Sequence, residues 1–200
     1  YKIKNDCKIL WIGIDNKKVD CYAKDIELTY KGTKFTAVFK DGNEYEFETK
    51  LLGRNNIYNI LAGITLGKEL GISITNLQKA VKRVAPIEHR LSMTKYYDIN
   101  IIDDAYNSNP MGCKMALEVL NMMPGKHIVV TPGMIEVGSK EYEVNKEFGR
   151  DIADNTGEVI LIGEEKTKAI YEGLMEKKFP KNKIHVLNDV MDAFPLITLD

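Results

Sequence analysis

Two hundred residues are enough for one large domain or two small ones. Apolar residues at 44% and charged residues at 28% allow a buried core and exclude a disordered or coiled-coil chain. With 28 Lys+Arg against 29 Asp+Glu the formal net charge is −1, which gives no bulk attraction to nucleic acid or anionic lipid.

Residues 1–6 lack the basic-then-apolar layout of a secretion signal. No later apolar run approaches the ~20 residues that span a bilayer, so a cytoplasmic α/β protein without membrane insertion is expected. Residues 8–14, 26–30, 35–39 and 45–48 read as strands, the last two joined through Asp41-Gly42. Asp-Gly between β-rich runs predicts a tight hairpin, because glycine accepts the positive φ of the turn. The period changes after Leu52-Gly53. Ile57, Ile60, Leu61, Ile64 and Leu70 recur at helical spacing, and Gly71-Ile72 supplies a stop. Thr75-Asn76-Leu77-Gln78 reads as a capping box opening a second helix with a buried stripe of Leu77, Ala80, Val81 and Val84. Pro86 ends it.

A composition shift at 87–91 marks a boundary and divides the chain into 1–88 and 89–200. Beyond it, strands are expected near 92–97, 100–103, 127–131, 158–162 and 184–187, and helices near 110–122, 140–154, 165–177 and 189–194. This alternation argues for a parallel sheet between helices. Ligands of such sheets bind beyond the carboxyl ends of the strands, where strand order reverses. Residues 103–110, 131–138 and 163–164 fall there.

Two stretches imitate the G-x-x-x-x-G-K-[ST] phosphate loop. Residues 63–69 lie within a helical pattern and carry Glu69 where a hydroxyl belongs. Residues 133–140 have the right strand–loop–helix setting, but Ser139 and Lys140 are in swapped order and Glu136 would put a carboxylate among phosphates. Neither is a convincing triphosphate cradle. Cys7, Cys21 and Cys113 are too far apart for a disulfide framework or a zinc cluster. No metal site is read, and His89, His127 and His185 receive no role.

The chemistry-bearing stretch is Asp103-Asp104-Ala105-Tyr106-Asn107-Ser108-Asn109-Pro110. A helix cap explains Asn109 and Pro110. It does not explain adjacent aspartates at a strand end followed by Tyr106 and Asn107, which suit ribose hydroxyls, a metal, or a substrate amide or carboxylate.

This stretch resembles the signature of the Mur ligase family. Leu52-Gly53-Arg54-Asn55-Asn56-Ile57-Tyr58-Asn59, Glu88-His89-Arg90-Leu91 and Thr131-Pro132-Gly133-Met134-Ile135-Glu136-Val137-Gly138 resemble three further family elements, in the same order. The loop of 103–110 is most similar to that of members adding D-alanyl-D-alanine to UDP-N-acetylmuramoyl tripeptide. In folylpolyglutamate and cyanophycin synthetases the equivalent loop is shorter. The resemblance implies an α/β fold: residues 1–88 as the distal part of the family's central ATPase domain, strands plus two helices, and 89–200 as a Rossmann-like parallel-sheet C-terminal domain, incomplete at its end.

It also implies ATP and Mg2+ as cofactors, with the phosphate loop, the magnesium ligands and the catalytic groups upstream, so a chain of this extent is expected to be inactive and monomeric. Asn59 matches the residue that contacts adenine, with Asn56 beside it or acting only as a helix cap. Arg90 matches a junction arginine near ribose and phosphates, with an interdomain salt bridge as the plain alternative. Asp104 matches the ribose-side aspartate. Asn107 and Asn109 are candidates for the peptide or D-alanyl-D-alanine side, and Tyr106 for that or for packing. Asn55 stands where the family commonly has His. The competing readings are another Mur-type amino-acid ligase and a non-catalytic nucleotide-binding module.

Overall fold

A computed structural model of the protein describes residues 7–197; the segment read above for a secretion signal lies outside them. The chain divides into two compact units, Tyr1–Ser92 and Met93–Asp200.

The first unit is a four-stranded sheet in the order β1 (Ile12–Ile14), β2 (Cys21–Thr29), β3 (Gly32–Phe39) and β4 (Glu44–Thr49). β1 runs parallel to β2, and the other pairs are antiparallel. The register sets Cys21 opposite Phe39, Ala23 opposite Ala37 and Phe35 opposite Phe47, and these residues form one buried face. Two helices, α1 (Asn55–Glu69) and α2 (Ile74–Arg83), supply Ile57, Ile60, Leu61, Ile64, Leu77 and Val81 to the same core. Each such fully buried side chain stabilises the unit by about 2 kcal/mol. The Asp41-Gly42 turn forms as expected, with Asn43 N donating to Asp41 Oδ1 at 3.1 Å and Gly42 at φ +81°.

Three expectations for this unit are corrected. β2 starts five residues before 26, because a bulge between Lys24 and Glu27, with Asp25 at φ 51°, breaks the alternation that marks a strand. α2 is capped by Ser73, whose side chain accepts from Asn76 N, and not by Thr75. That start aligns Ile74, Leu77 and Val81 on the buried face and leaves Ala80 and Val84 exposed. Leu70 falls at the end of α1 and is 71% exposed.

In the second unit, β5 (Ser92–Tyr96) pairs with β6 (Ile99–Asp103) as a separate two-stranded sheet. Two residues join them, a connection that only an antiparallel pair permits. α3 (Pro110–Asn121) follows. The three-stranded parallel sheet is β7 (Ile128–Thr131), β8 (Glu158–Ile162) and β9 (Ile184–Leu187), with α4 (Glu141–Asn155) and α5 (Glu164–Glu176) as crossovers. A 3-10 turn, Val190–Ala193, leads into the short α6 (Phe194–Ile197).

The strands near 92–97 and 100–103 therefore do not join the parallel sheet, and its sequential order has no reversal among the described residues. The cause is visible in the sequence. β8 is buried at four of its five positions and reads Glu-Val-Ile-Leu-Ile, whereas Ser-Met-Thr-Lys-Tyr of β5 cannot be covered on both faces.

At the amino end of β8 the nearly buried Glu158 carboxylate meets Lys126 Nζ at 2.9 Å, His185 Nε2 at 2.8 Å and Lys183 Nζ at 3.7 Å. The bond from Lys126 holds the Glu158 carboxyl below its ordinary 4.5, with His185 adding to it against the opposing effect of burial. A depressed folded-state value contributes stability in full above the unfolded value and loses it as pH falls through the folded one. Glu158→Gln should therefore lower the denaturation midpoint at pH 7 and flatten its fall below about pH 4.5, measured by urea unfolding across pH.

Candidate functional site

The α1 start carries the two asparagines singled out above. Arg54 occupies the cap position and makes no side-chain cap bond; its Nη2 lies 3.2 Å from Asp15 Oδ2. Asn56 is thus not the helix cap. Its Nδ2 donates to Leu52 O at 2.8 Å, and its Oδ1 accepts from Asn59 Nδ2 at 3.1 Å. One face of the Asn59 amide is fixed by this bond. Its Oδ1 and second N–H stay at the exposed surface beside exposed Tyr58, an acceptor–donor pair of the kind that reads a base edge.

Arg90 sits between two residues in the left-handed region, His89 at φ 61° and Leu91 at φ 49°, and its N–H donates to Ile87 O at 3.2 Å. Leu91 is buried and Arg90 exposed. The tight backbone fixes the chain at Arg90, at about 1 kcal/mol for each left-handed residue.

At the end of β6, Asp103 Oδ1 accepts from Ala105 N at 3.1 Å, which bends the chain into the loop. Asp104 is half-buried, while Tyr106 and Asn107 are exposed. Asn109 caps α3, its Oδ1 accepting from Gly112 N at 3.0 Å, so its side chain serves the helix first. Burial, then the charges of Asp104 and Asp151, push the Cys113 thiol up to about 12. Cys113 is therefore inert as a nucleophile at neutral pH.

The third loop, 131–138, leaves the carboxyl end of β7. Gly133 N donates to Thr131 Oγ1 at 3.0 Å and Met134 N to Asn145 Oδ1 at 2.7 Å. Both amides are used internally; the other phosphate-loop imitation, 63–69, lies in α1. Asn145 Nδ2 also donates to Met134 O at 2.8 Å and Glu141 O at 2.9 Å. Sequence reasoning missed Asn145. The available signal was a polar residue in the buried stripe of α4 beside Phe148, Gly149 and Ile152.

Asn56, Asn59 and Arg90 belong to the first unit, and Asp104, Tyr106, Asn107 and Asn109 to the second. Among the described residues no three or more His, Cys, Asp or Glu side chains converge as metal ligands, and no helix is long and apolar enough to cross a membrane.

These loops and this two-unit α/β architecture have counterparts. Residues 1–67 match the Mur ligase middle domain and 89–199 the glutamate ligase domain of Mur ligases. The chain belongs to the Mur ligase family.

Among relatives, it is 29% identical over 181 residues to the UDP-N-acetylmuramoyl-tripeptide–D-alanyl-D-alanine ligase of Bacillus subtilis, covering 89% of this chain and 39% of that one. It is 27% identical to the UDP-N-acetylmuramate–L-alanine ligase of Dictyoglomus turgidum, covering 96% and 42%. The chain thus spans about two fifths of the length of these relatives. Its fold is shared with MurF from Acinetobacter baumannii, at TM-score 0.80, 23% identity and coverage of 95% and 40%. It is shared too with MurF ligase from Thermotoga maritima in complex with ADP, at TM-score 0.75, 19% identity and coverage of 96% and 42%.

Proposed function

We propose that this chain is part of an ATP-dependent ligase of peptidoglycan synthesis that joins D-alanyl-D-alanine to UDP-N-acetylmuramoyl tripeptide. The observation that carries the reading is the loop of 103–110, paired aspartates leading into a capped helix, at the length that separates this branch from shorter-looped ligases. The similarity to D-alanyl-D-alanine ligases from several bacteria supports it.

A carboxylate is a poor electrophile, so ATP first converts the peptide's terminal carboxylate to an acyl phosphate. The amine then attacks the acyl carbon, and phosphate leaves. In this chain Asn59, steadied by Asn56, offers donor and acceptor to adenine. Arg90 presents a permanent cation to ribose and phosphates, and Asp104 accepts from a ribose hydroxyl. Asn107 and Tyr106 remain for the peptide side, with Asn109 behind them. The chemistry of these groups fits a nucleoside. Among the described residues no set of metal ligands converges.

Phosphate release by the full-length enzyme, with UDP-N-acetylmuramoyl tripeptide and either D-alanyl-D-alanine or L-alanine, tests the reading. Stimulation by the dipeptide alone supports it. Stimulation by L-alanine alone, with UDP-N-acetylmuramate as acceptor, would assign the second reading, which the Dictyoglomus turgidum relative favours. In the same enzyme Asp104→Ala should raise KM for ATP about tenfold, the loss of one charge-assisted hydrogen bond. An unchanged KM removes Asp104 from the nucleotide site.

A further inference from the structure

The loop of 131–138 has a feature that neither its packing nor the nucleotide reading uses. Glu136 lies at its tip with φ 64°, in the left-handed region that costs a non-glycine residue about 1 kcal/mol or more. The loop already has glycines at two other left-handed positions, Gly133 and Gly138, so the same solution was open at 136. Glu136 is exposed, and its carboxylate makes no hydrogen bond or ion pair among the described residues. The backbone beneath it is held firmly: Met134 is 1% exposed, and its N–H and C=O are both bonded to the Asn145 side chain. Ile135 beside it is 58% exposed. An anchored loop at the carboxyl end of a parallel strand thus holds an unpaired carboxylate outward in a left-handed conformation, on a connecting loop positioned by a rigid scaffold, the kind of segment that carries binding residues.

We infer that Glu136 is a substrate-recognition residue that binds a primary ammonium group, with exposed Ile135 as an apolar contact beside it. This rests on the proposed ligase function and names the group that the loop reads. A carboxylate repels the phosphates and carboxylates of the nucleotide and the muramoyl peptide. Organic cations among such reactants are ammonium groups: the α-ammonium of the incoming dipeptide, or the side-chain ammonium of a diamino residue in the stem peptide. Asn145 acts as a positioning residue, fixing the peptide two residues before Glu136.

Two variants of the full-length enzyme test this. Glu136→Gly relieves the left-handed backbone, and Glu136→Gln keeps the side chain's shape without its charge. Both should raise KM about tenfold for one ammonium-bearing substrate, leaving KM for ATP and the magnesium dependence unchanged. The Gly variant should unfold at the wild-type temperature or up to about 2 °C higher, a combination that a merely structural residue does not give. An increase confined to the dipeptide assigns its α-ammonium; an increase confined to a lysine- or diaminopimelate-containing stem peptide assigns that side chain.

Unaltered KM for both substrates, or a shifted magnesium dependence in place of a KM effect, overturns the inference. If the wild type itself releases no phosphate with any amine, the ligase reading fails and this assignment with it. A wild type that turns over beside unaffected variants sinks the assignment alone.

Discussion

Gly173→Ala is expected to destabilise the second unit by about 3 kcal/mol, and the same substitution at Gly63 to stabilise the first by up to about 1 kcal/mol. The two glycines are both interior to helices, where alanine is intrinsically favoured. What differs is the space. A Cβ on Gly173 would lie 2.1 Å from Lys146 O, 3.0 Å from Arg150 N and 3.1 Å from Gly149 Cα. A Cβ on Gly149 would come to 2.2 Å from Ile170 O. These are backbone atoms of a facing helix and cannot rotate away, so α4 and α5 must separate.

Separation loosens Ile152, Ile170 and Leu174, all fully buried at this crossing. It also parts Lys146 from Glu176, at 2.8 Å, and Arg150 from the same carboxylate, at 2.7 Å. Those half-exposed pairs contribute little; the loss lies in packing. Gly63 has nothing within 4 Å of its Cβ position. Urea unfolding followed by circular dichroism, with amide exchange to assign the change to α4 and α5, measures both. A wild-type midpoint for Gly173→Ala would mean that the helices are not in contact there.

The sequence made legible what is decided locally. Asp41-Gly42 specifies its turn through φ alone, Asn109-Pro110 specifies a helix start, and the Val-Ile-Leu-Ile run of β8 announces a strand covered on both faces. What depends on partners distant in sequence was not legible. Asp25 disguises the first half of β2 because the bulge is defined by its register against β3. Ser73 and Thr75 are both competent caps, and the choice falls to which start buries Ile74 with Leu77 and Val81. β5 and β6 look like members of a βαβ series until their pairing with each other is seen.

At the site the pattern is the same. The residue types in 103–110 were readable, as was Asn59. The bond that ties Asn59 to Asn56 and Asn56 to Leu52, the left-handed pair around Arg90, and the side chain of Asn145 under the third loop all depend on tertiary placement.

Asn145→Leu should cost about 3 kcal/mol, although leucine branches at Cγ as asparagine does and suits a buried stripe. Asn145 is 3% exposed and makes three hydrogen bonds, accepting from Met134 N and donating to Met134 O and Glu141 O. Leucine removes all three and leaves the N–H and C=O of nearly inaccessible Met134 without partners, and each such buried group costs about 1–3 kcal/mol. The gain from burying an apolar side chain offsets only part of this. Exchange of the amide protons of 131–138 should accelerate more than that of β8.

Asn145→Asp separates the acceptor from the donors. Asp keeps the bond from Met134 N, but when ionised it faces two carbonyl oxygens in a buried setting, which raises its folded-state pKa. A protonated carboxyl can still donate to Met134 O. Stability of this variant should therefore be nearest wild type at low pH and fall as pH rises above about 4, the unfolded value. That trend is opposite in sign to the acid-labile contribution of Glu158. If Asn145→Asp instead tracked the wild type from pH 4 to 7, the buried amide would not be holding the loop.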